Sequence, residues 1–334
     1  MNIYKEIVEE IVSAKNIVIT AHRSPDGDSI GSSMGLYQFI QKLGKKAVVC
    51  HPDPAPEFLH WVENTADIKC FDEHKIECTE LLLNADLVFC LDYNAPNRVG
   101  KEMEEVMLKI QAKKVMIDHH PHPAEDFCQL IISDTSACST CELIFDLIEG
   151  SGNLDLLDER IGTPIYLGIM TDTGSFRFPA MKPVVHEILA KLLKAGVVHF
   201  KVHENVFDTN TLDRLKLRGF ALSEKMEILP GNKIALISLS DEELKRYNYR
   251  KGDTEGLVNM ALSVQGIQIA AFFAEKDGVV KISFRSKGDY FVNKLSMENF
   301  EGGGHQYAAG GISYEGLDHA VNKFKSLVND YFPA

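Results

Sequence analysis

Four short segments of the sequence place metal-binding side chains directly after an apolar run. They are His22-Arg23-Ser24-Pro25-Asp26-Gly27-Asp28, Asp92-Tyr93-Asn94, Asp118-His119-His120 and Thr171-Asp172. Imidazoles and carboxylates are common ligands of divalent cations. Gathering so many carboxylates without a cation would cost on the order of several kcal/mol for each unpaired group. The four segments therefore predict a site for one or two divalent metals.

Each segment alone has an ordinary explanation. An Asp after a strand is usually a helix cap or a turn residue, and adjacent histidines are often surface or core residues. A His-x-x-x-Asp-x-Asp segment, a lone Asp, an Asp-His-His segment and a further Asp occur together in this chain. That combination favours the metal centre over the separate structural explanations.

The elements that must position these side chains follow from the apolar runs. Asn16 to Thr20, Asp86 to Cys90 and Lys114 to Ile117 are short and rich in Ile and Val, which predicts strands buried on both faces of a parallel sheet. A helix from about Ser29 to Lys42 and a strand from Ala47 to Cys50 continue the alternation of an α/β domain. Ligands bind outside the carboxyl ends of parallel strands, so the four segments are expected to meet at one edge.

The chain length predicts two domains, since 334 residues exceed what one core usually serves. Helices are predicted over Asp155 to Met170 and Val184 to Leu193, which brings Asp172 to the site from a helix end. A connecting helix is predicted between Val202 and Glu224. The second domain then has strands and a final helix, predicted at Ile234 to Leu239, Ile267 to Ala274, Val279 to Phe284 and Leu317 to Tyr331. The first domain is predicted over residues 1–200 and the second over 226–334, with a linker over 201–225 between them.

The ligand types indicate how the metals are held. His22 and Asp26 are four residues apart and can chelate one ion, Asp28 points to a neighbouring ion, and Asp92 can bridge both. Imidazole and carboxylate ligands without thiolate suit Mn²⁺, with Mg²⁺, Co²⁺ or Fe²⁺ as alternatives, and argue against a soft metal. The predicted cofactor is therefore a pair of divalent ions.

The cysteines give no disulfide framework, because all seven lie in the first 141 residues at irregular spacing. Cys138 and Cys141 form a single Cys-x-x-Cys, for which zinc or redox chemistry is one interpretation. Ser139 and Glu142 also fit a capping box that opens a helix over Leu143 to Ile148, and no second cysteine pair completes a zinc site. The pattern favours the helix start.

Composition narrows the substrate class. A net charge of −13 argues against broad binding to long duplex nucleic acid but not against a small anionic substrate beside bound cations.

No stretch reaches the roughly 18 apolar residues of a membrane span, and the N-terminus lacks a signal-peptide layout. We expect a cytoplasmic protein without a membrane partner. The sequence has neither a Gly-x-Ser-x-Gly elbow nor a Walker-type loop, which argues against serine-hydrolase and ordinary ATPase chemistry.

The same motifs resemble the DHH phosphoesterase family. His22 to Ser32, Asp118-His119-His120 and Thr171-Asp172-Thr173-Gly174 are similar to its successive N-terminal motifs. Ser283-Phe284-Arg285-Ser286 and Gly302-Gly303-Gly304-His305 are similar to the two signatures of the DHH-associated C-terminal domain. The resemblance spans about residues 15 to 330. It implies a parallel-sheet DHH domain, a smaller α/β DHH-associated domain, and an active site in the cleft between them.

The resemblance also implies roles for individual residues. It places His22, Asp26 and Asp92 on one metal, and Asp28, Asp92, His119 and Asp172 on the other. The catalytic residues are then Asp92, Asp118, His119 and His120. Asp118 is expected to orient its neighbours, His120 is expected to face the phosphate, and the sequence leaves open which of the paired histidines binds metal.

Substrate binding is expected in the second domain. Three successive glycines, Gly302 to Gly304, allow backbone N–H groups to approach an anion, and Arg285 offers a bidentate fork for phosphate. A tight strand connection beside a surface arginine explains the spacing equally well, and the family resemblance favours phosphate binding by Arg285 and His305. Arg98 and Arg177 are further candidates, for which exposed or salt-bridged structural roles are equally compatible.

The chain is most similar to stand-alone bacterial enzymes that degrade RNAs of two to five nucleotides and dephosphorylate 3'-phosphoadenosine 5'-phosphate. The resemblance implies a Mn²⁺-dependent phosphoesterase with a short RNA or nucleotide substrate, and a homodimer is compatible with it. Exopolyphosphatase or pyrophosphatase activity, cyclic-dinucleotide hydrolysis and non-catalytic nucleotide binding are the alternatives. The Arg285 and Gly302 to His305 signatures favour the nucleotide enzymes.

Overall fold

The structure is a computed structural model that describes residues 2–229, 231 and 233–332. Two compact units divide the chain, and the boundary lies between Thr209 and Asn210. This boundary falls inside the linker that the sequence predicted over residues 201–225.

The first unit is built on a six-stranded sheet whose strands are all parallel, in the order β3-β2-β1-β4-β5-β6. The strands are β1 Ile17–Ala21, β2 Ala47–His51, β3 Lys69–Cys70, β4 Leu87–Leu91, β5 Lys113–Asp118 and β6 Leu130–Ser133. Every residue of β1 and β4 is buried, because helices cover both faces. The predicted parallel α/β domain is confirmed. The strand order reverses between β1 and β4, which is where ligands bind in such sheets.

Helices on both faces of this sheet complete the first unit. They are α1 Ile3–Ser13, α2 Gly27–Lys42, α3 Lys75–Leu83, α4 Lys101–Met107, α5 Thr140–Gly150, α6 Glu159–Asp172, α7 Pro183–Lys194 and α8 His199–Phe207. Short 3₁₀ turns lie at Glu57–Leu59, Thr65–Asp67, Pro96–Val99 and Leu154–Leu156. One core packs α2, α5 and α6 against the sheet, and a second core packs α3 and α4 against the opposite face.

Helices α2 and α6 approach each other closely along a row of glycines. A Cβ atom on Gly27 would lie 2.3 Å from Thr171 Oγ1, and one on Gly31 would lie 2.4 Å from the Pro164 carbonyl oxygen. Gly35 continues the row one turn later. Any larger side chain would push the helices apart. The glycines therefore let the end of α6 lie beside the start of α2.

The helices around residues 155–170 and 202–224 differ from the predicted ones. The helix predicted from Asp155 begins at Glu159, because the Asp158 side chain caps it by accepting the Arg160 and Ile161 N–H groups. The single connecting helix predicted between 202 and 224 is wrong. It is two helices, α8 and α9 (Leu212–Ser223), separated where the Thr211 hydroxyl accepts the Arg214 N–H. Residues 208–211 are Asp, Thr, Asn and Thr, which favour caps and turns over helix interiors.

The helix after the Cys-x-x-Cys segment begins earlier than predicted. Ser139 is its N-cap and accepts the Glu142 N–H at 3.1 Å, as the capping-box pattern requires. The Glu142 carboxylate bonds the N–H of Cys138, at 2.6 Å, instead of the N–H of Ser139. The first helical residue is therefore Thr140, three positions before the predicted Leu143.

The second unit contains a mixed six-stranded sheet in the order β11-β12-β10-β9-β8-β7. Its strands are β7 Met226–Ile228, β8 Ile234–Leu239, β9 Ile269–Lys276, β10 Val279–Ser286, β11 Gly303–His305 and β12 Ala308–Ser313. Only the β8–β9 pair is parallel among these described strands. Asp277 and Gly278, both with positive φ, form the tight turn between β9 and β10.

Helices cover both faces of the second sheet. They are α9, α10 Asp241–Arg246, α11 Leu257–Leu262, α12 Asn293–Asn299 and α13 Leu317–Tyr331. Residues of α9, α10 and α11 share one core with the sheet, and residues of α12 and α13 share the other. The predicted second, smaller α/β domain is confirmed. In the part of the chain that the structure describes, every helix is too short or too polar to cross a bilayer.

Candidate metal centre

His22 follows β1 and is held by its own loop. Its Nδ1 lies 2.8 Å from the Arg23 carbonyl oxygen. A carbonyl oxygen only accepts, so Nδ1 carries the hydrogen and a neutral imidazole presents Nε2 as an electron-pair donor. That Nε2 lies 3.3 Å from Asp92 Oδ2 and 3.7 Å from Asp26 Oδ2. His22 is thus oriented as a metal-binding histidine would be.

Asp26 uses its two oxygens differently. As the N-cap of α2, its Oδ1 accepts the N–H groups of Asp28 at 3.1 Å and Ser29 at 3.0 Å. Its Oδ2 faces His22. The side chain is about half exposed, at 56%. The helix start therefore fixes the carboxylate while one oxygen remains directed towards the imidazole.

Asp28 lies almost fully buried in the first turn of α2. Its Oδ2 accepts the Thr140 N–H at 2.6 Å and its Oδ1 accepts the Cys141 N–H at 2.9 Å. Burial, followed by the charges of Asp92 and Asp172, holds the pKa of the Asp28 carboxyl well above its usual range. A cation at this position would offset that concentrated negative charge.

Asp92 is positioned directly after β4 with left-handed backbone geometry, φ +61°. Its N–H donates to the Ile117 carbonyl oxygen at 3.1 Å. Asp92 Oδ2 faces His22 Nε2 at 3.3 Å, and Oδ1 lies 3.7 Å from His119 Nε2. The two carboxylate oxygens thus face two different imidazoles, which is the arrangement that a bridging ligand requires.

The end of β5 supplies Asp118, His119 and His120. His119 Nε2 lies 3.3 Å from Asp172 Oδ2 and 3.9 Å from Asp28 Oδ2. Asp118 instead holds His120, because its Oδ1 lies 2.7 Å from His120 Nδ1 and its Oδ2 accepts the His120 N–H. Burial opposes protonation of His120, but Asp118 and Asp92 outweigh it and raise its pKa.

Asp172 is the last residue of α6. The approach of α6 to α2 along the glycine row places it beside the first turn of α2, and Thr171 packs against Gly27. Asp172 therefore reaches the cluster from a helix end, as the sequence predicted. Its side chain is about one-third exposed.

The potential ligand atoms of the first unit form three groups, each with its atoms within 4.8 Å of one another. The groups are His22, Asp26 and Asp92; Asp28, His119 and Asp172; and Asp92, Asp118 and His120. The first group has the residues predicted for one metal, and the second has those predicted for the other except Asp92; the division between two metals stays a prediction. Oxygen and imidazole nitrogen donors suit a hard or intermediate divalent cation. Burial and the charge of Asp28 raise the pKa of the nearby Cys141 thiol.

Sequence reasoning did not identify Thr140. Besides its N–H bond to Asp28, its hydroxyl donates to Asp92 Oδ1 at 3.0 Å. The residue is fully buried at the start of α5. The predicted N-cap at Ser139 was a signal for this role. It places Thr140 at the start of a helix, where the first N–H groups commonly bind anions.

Arg23 was also not identified. Its guanidinium forms a bidentate pair with Asp72, at 2.8 and 2.9 Å, and lies 3.1 Å from Asp53. The Arg23 N–H donates to the Arg98 carbonyl oxygen at 2.9 Å. These contacts fix the loop whose Arg23 carbonyl orients His22. Asp53 and Asp72 are distant in sequence and carry no local motif that would have indicated the pairing.

In the second unit, Arg285 and His305 lie in one row across three strands. Arg285 of β10 is paired with Ala308 of β12, and Ala308 is paired with His305 of β11. Residues directly opposite each other in a sheet share a face. The Arg285 guanidinium also donates to the Phe284 carbonyl oxygen at 2.9 Å. The predicted phosphate-binding residues therefore share one face of the described sheet, with β12 between them.

The three successive glycines have different surroundings. A Cβ on Gly302 would lie 2.0 Å from the Gly310 carbonyl oxygen, and Gly304 has φ +135°. A Cβ on Gly303 would meet only Met297, at 3.8 Å. The fold of this unit thus requires glycine at 302 and 304, whereas it leaves open space at 303.

The other two candidate arginines lie on exposed segments of the first unit. Arg98 is in the 3₁₀ turn that follows Asp92, and its charge acts to lower the pKa of His120. Arg177 follows α6 and its Nε donates to the Gly174 carbonyl oxygen at 2.9 Å. Binding of substrate by either residue stays a prediction.

Comparison with known proteins agrees with this architecture. The model named "DHH family, N-terminal domain" matches residues 16–169, and the model named "DHHA1 domain" matches residues 232–333. The bifunctional oligoribonuclease and PAP phosphatase NrnA of Thermus thermophilus is 32% identical, over 93% of this chain and 89% of its own. The protein of the same name in Bacillus subtilis is 27% identical, over 98% of this chain and 99% of its own.

A solved structure is similar over almost the entire chain. The crystal structure of an exopolyphosphatase-related protein from Bacteroides fragilis has a TM-score of 0.95 and 37% sequence identity, and the match covers 99% of this chain and 96% of that one. Full-length similarity above 30% identity, together with the two domain matches, establishes the relationship. The chain belongs to the DHH phosphoesterase family and consists of a DHH domain followed by a DHHA1 domain.

Proposed function

We propose that this protein is a two-metal phosphoesterase that hydrolyses oligoribonucleotides of two to five nucleotides to mononucleotides and 3'-phosphoadenosine 5'-phosphate to AMP. The observation that carries the proposal is the position of Asp92, whose two oxygens face the imidazoles of His22 and His119. The names of the two full-length NrnA relatives support the substrate class.

The donor set fits two divalent ions. We assign His22, Asp26 and Asp92 to one ion, and Asp28, Asp92, His119 and Asp172 to the other. Nitrogen and oxygen donors of this kind suit Mn²⁺. When bound, two such ions would supply a Lewis acid for the phosphoryl oxygen and would lower the pKa of a bound water towards neutral pH.

Other residues hold these ligand side chains in position before substrate binds. Thr140 holds Asp92 and Asp28, and the Arg23 carbonyl holds His22. Asp118 fixes the ring of His120 through Nδ1, and we assign His120 to the scissile phosphate. Ligands that are held rigidly need little reorganisation during the reaction, which lowers the barrier.

We assign substrate capture to the DHHA1 domain. Arg285, His305 and the backbone of Gly302 to Gly304 would bind a phosphate of the substrate, and Arg98 and Arg177 remain candidates in the DHH domain. A phosphate held at a fixed distance from the metals would favour short substrates.

The decisive experiment compares substrates. Purified protein with Mn²⁺ is incubated with 3'-phosphoadenosine 5'-phosphate, the dinucleotide pApA, a five-nucleotide RNA, a long RNA, cyclic di-AMP and polyphosphate, and initial rates are measured. Fast AMP release from the short linear nucleotides supports the proposal. Preferential cleavage of polyphosphate or cyclic di-AMP would show that this compound, and not a short linear nucleotide, is the substrate. Binding without product would indicate a nucleotide-binding regulator.

Two variants test the assignments. Asp92→Ala should lower kcat for pApA by about 100-fold or more, because both ions lose a ligand. Arg285→Ala should mainly raise KM, because it removes a bidentate phosphate contact. Asp126→Ala and Arg246→Ala are controls at exposed positions of the same two domains. Full activity in Asp92→Ala would refute the bridging role.

The homodimer and the cytoplasmic location stay predictions. Light scattering on the purified protein tests the first, and fractionation of cells that express it tests the second. Replacing Mn²⁺ with Mg²⁺, Co²⁺ or Fe²⁺ in the pApA assay tests the preference for Mn²⁺.

A further inference from the structure

Two hydroxyl groups, those of Thr20 and Tyr93, contact each other in the interior of the DHH domain. Thr20 Oγ1 lies 2.8 Å from the Tyr93 phenol oxygen, and both residues are fully buried. The Thr20 hydroxyl donates its hydrogen to the Phe89 carbonyl oxygen at 2.8 Å. Because a hydroxyl has a single hydrogen, the Tyr93 hydroxyl is the donor in the contact with Thr20.

Each of these two residues is close in sequence to a candidate metal ligand. Thr20 lies in β1, two residues before His22, and Tyr93 directly follows Asp92. β1 and β4 pair in parallel up to the residues just before His22 and Asp92. The bond from Tyr93 to Thr20 therefore joins the two segments whose ligand atoms, His22 Nε2 and Asp92 Oδ2, face each other at 3.3 Å.

The backbone of Asp92 depends on support from its surroundings. Its φ of +61° lies in the left-handed region, which residues other than glycine adopt only where neighbouring structure holds them. The Asp92 N–H donates to the Ile117 carbonyl oxygen, and the Thr140 hydroxyl donates to the Asp92 carboxylate. Tyr93 adds a third support from the next residue along the chain, since its hydroxyl is bonded to Thr20.

The Tyr93 hydroxyl is not explained by core packing alone. The ring belongs to the core that packs α3 and α4 against the sheet, and the other buried members of that core are apolar residues and cysteines. A phenylalanine would bury the same ring there. A hydrogen bond adds a directional constraint, because it weakens steeply as its angle departs from linear. The bond thus fixes where the chain after β4 lies relative to β1.

We propose that Tyr93 is a positioning residue for Asp92, and that its bond to Thr20 sets the spacing of Asp92 and His22 that lets Asp92 bridge two metal ions. This inference rests on the proposed function and deepens it. It makes the bridging geometry depend on a buried hydroxyl that is not itself a metal ligand.

Metal binding without substrate tests this role. Isothermal titration calorimetry of the full-length protein with Mn²⁺ gives affinity and stoichiometry. Electron paramagnetic resonance of the loaded protein reports whether the ions share a ligand, because two Mn²⁺ ions joined by one carboxylate are magnetically coupled. Neither the affinity nor the coupling would change if the bond only stabilised the fold.

Three variants and a matched control give the comparison. Tyr93→Phe keeps the ring and removes the bond, whereas Thr20→Val removes the same bond from the β1 side. Thr20→Ser keeps a hydroxyl at that position. Tyr166→Phe is the control, because Tyr166 is a second buried tyrosine of the DHH domain and its hydroxyl lies 3.2 Å from His203 Nε2.

We expect Tyr93→Phe and Thr20→Val each to raise the Kd for Mn²⁺ by about 10-fold, the lower end of what losing a partner of a metal ligand costs. Both should also weaken the magnetic coupling, and kcat for pApA should fall while KM stays the same. Thr20→Ser and Tyr166→Phe should behave as wild type. The double variant of Tyr93→Phe and Thr20→Val should bind Mn²⁺ no more weakly than Thr20→Val alone, because both changes remove one shared bond.

A wild-type protein that binds a coupled Mn²⁺ pair, together with unchanged affinity and coupling in Tyr93→Phe and Thr20→Val, would overturn the positioning role alone. A lower melting temperature in these variants without a change in Mn²⁺ binding would also overturn it, since the bond would then be only structural. Wild-type protein that binds no Mn²⁺ pair would overturn the proposed metal centre together with the inference. The two variants remove the bond from opposite sides, so if one fails to fold the other still decides.

Discussion

The hydroxyl of Thr140 donates a hydrogen bond to Asp92 Oδ1 at 3.0 Å. The backbone N–H of the same residue donates to Asp28 Oδ2 at 2.6 Å. One residue at the N-terminus of α5 therefore contacts two candidate metal ligands, each from a different segment of the chain. The positive end of the helix dipole also favours carboxylates at this position. Thr140 thus positions two carboxylates of the candidate metal centre.

Replacing the Thr140 hydroxyl should weaken metal binding. Thr140→Val keeps the shape and the N–H but removes the bond to Asp92, so we expect Mn²⁺ affinity to fall by about 10- to 100-fold. Thr140→Ser keeps a hydroxyl and should bind Mn²⁺ nearly as the wild type does. Isothermal titration calorimetry gives affinity and stoichiometry without any substrate. Equal Mn²⁺ affinity in the Val and Ser variants would show that the hydroxyl does not position the ligands.

The glycine row between α2 and α6 should tolerate no added methyl group at Gly31. A Cβ there would lie 2.4 Å from the Pro164 carbonyl oxygen, and overpacking of this kind costs about 1–3 kcal/mol. We expect Gly31→Ala to lower the free energy of unfolding by that amount in urea denaturation followed by circular dichroism.

Gly219→Ala is the matched control for this change. Gly219 lies in α9, with no neighbouring atom within 4 Å of an added Cβ. Alanine is the better helix former, so this variant should be more stable by about 0.5–1 kcal/mol. Similar stability changes in the two glycine variants would contradict close packing of α2 on α6.

Asp146 should make stability fall as pH rises. Burial, followed by the charges of Glu142 and Glu149, raises the pKa of this carboxyl from 3.8 to about 6. Between these values the unfolded chain loses the proton while the folded protein retains it, so the folded state loses stability as pH rises through the window. Below both values the effect is absent, and above both it is fully present.

Asp146→Asn removes this titration. We expect the variant to exceed the wild type in free energy of unfolding by about 1 kcal/mol at pH 7.5, a value reduced for the partial exposure of the side chain. The difference should disappear near pH 4. Urea denaturation at several pH values checks it, with the exposed Asp126→Asn as control. A stability difference that does not depend on pH would rule out the raised pKa as its cause.

The three glycines of the DHHA1 hairpin should respond differently to alanine. Gly303 has open space for a Cβ, so Gly303→Ala should melt as the wild type does. If the backbone at 303 approaches a substrate phosphate, KM for pApA should rise by about 10-fold or more, as expected for loss of a bond to a charged group. Gly302→Ala should instead lower the melting temperature, because its Cβ would lie 2.0 Å from a carbonyl oxygen. An unchanged KM in Gly303→Ala would exclude close approach at that position.

Local sequence patterns were sufficient for much of the fold. The Ile- and Val-rich runs correctly predicted β1, β4 and β5, since strands buried on both faces are rich in apolar residues. The two-residue β3 and the four-residue β6 were missed. Such short strands are defined by pairing with a neighbour that is distant in sequence. The break between α8 and α9 was also missed, although Thr211 carried the signal of an N-cap.

The sequence by itself determined which side chains gather at the candidate metal centre. Each candidate ligand follows a strand, begins a helix or ends one, and the parallel sheet brings those positions to one edge. Only the tertiary structure decided which atoms face one another: Asp92 between His22 and His119, Asp118 on His120, and Thr140 on two carboxylates. The physical reason is that local propensity fixes the ends of elements, whereas the partners of individual oxygen and nitrogen atoms depend on packing between segments far apart in the chain.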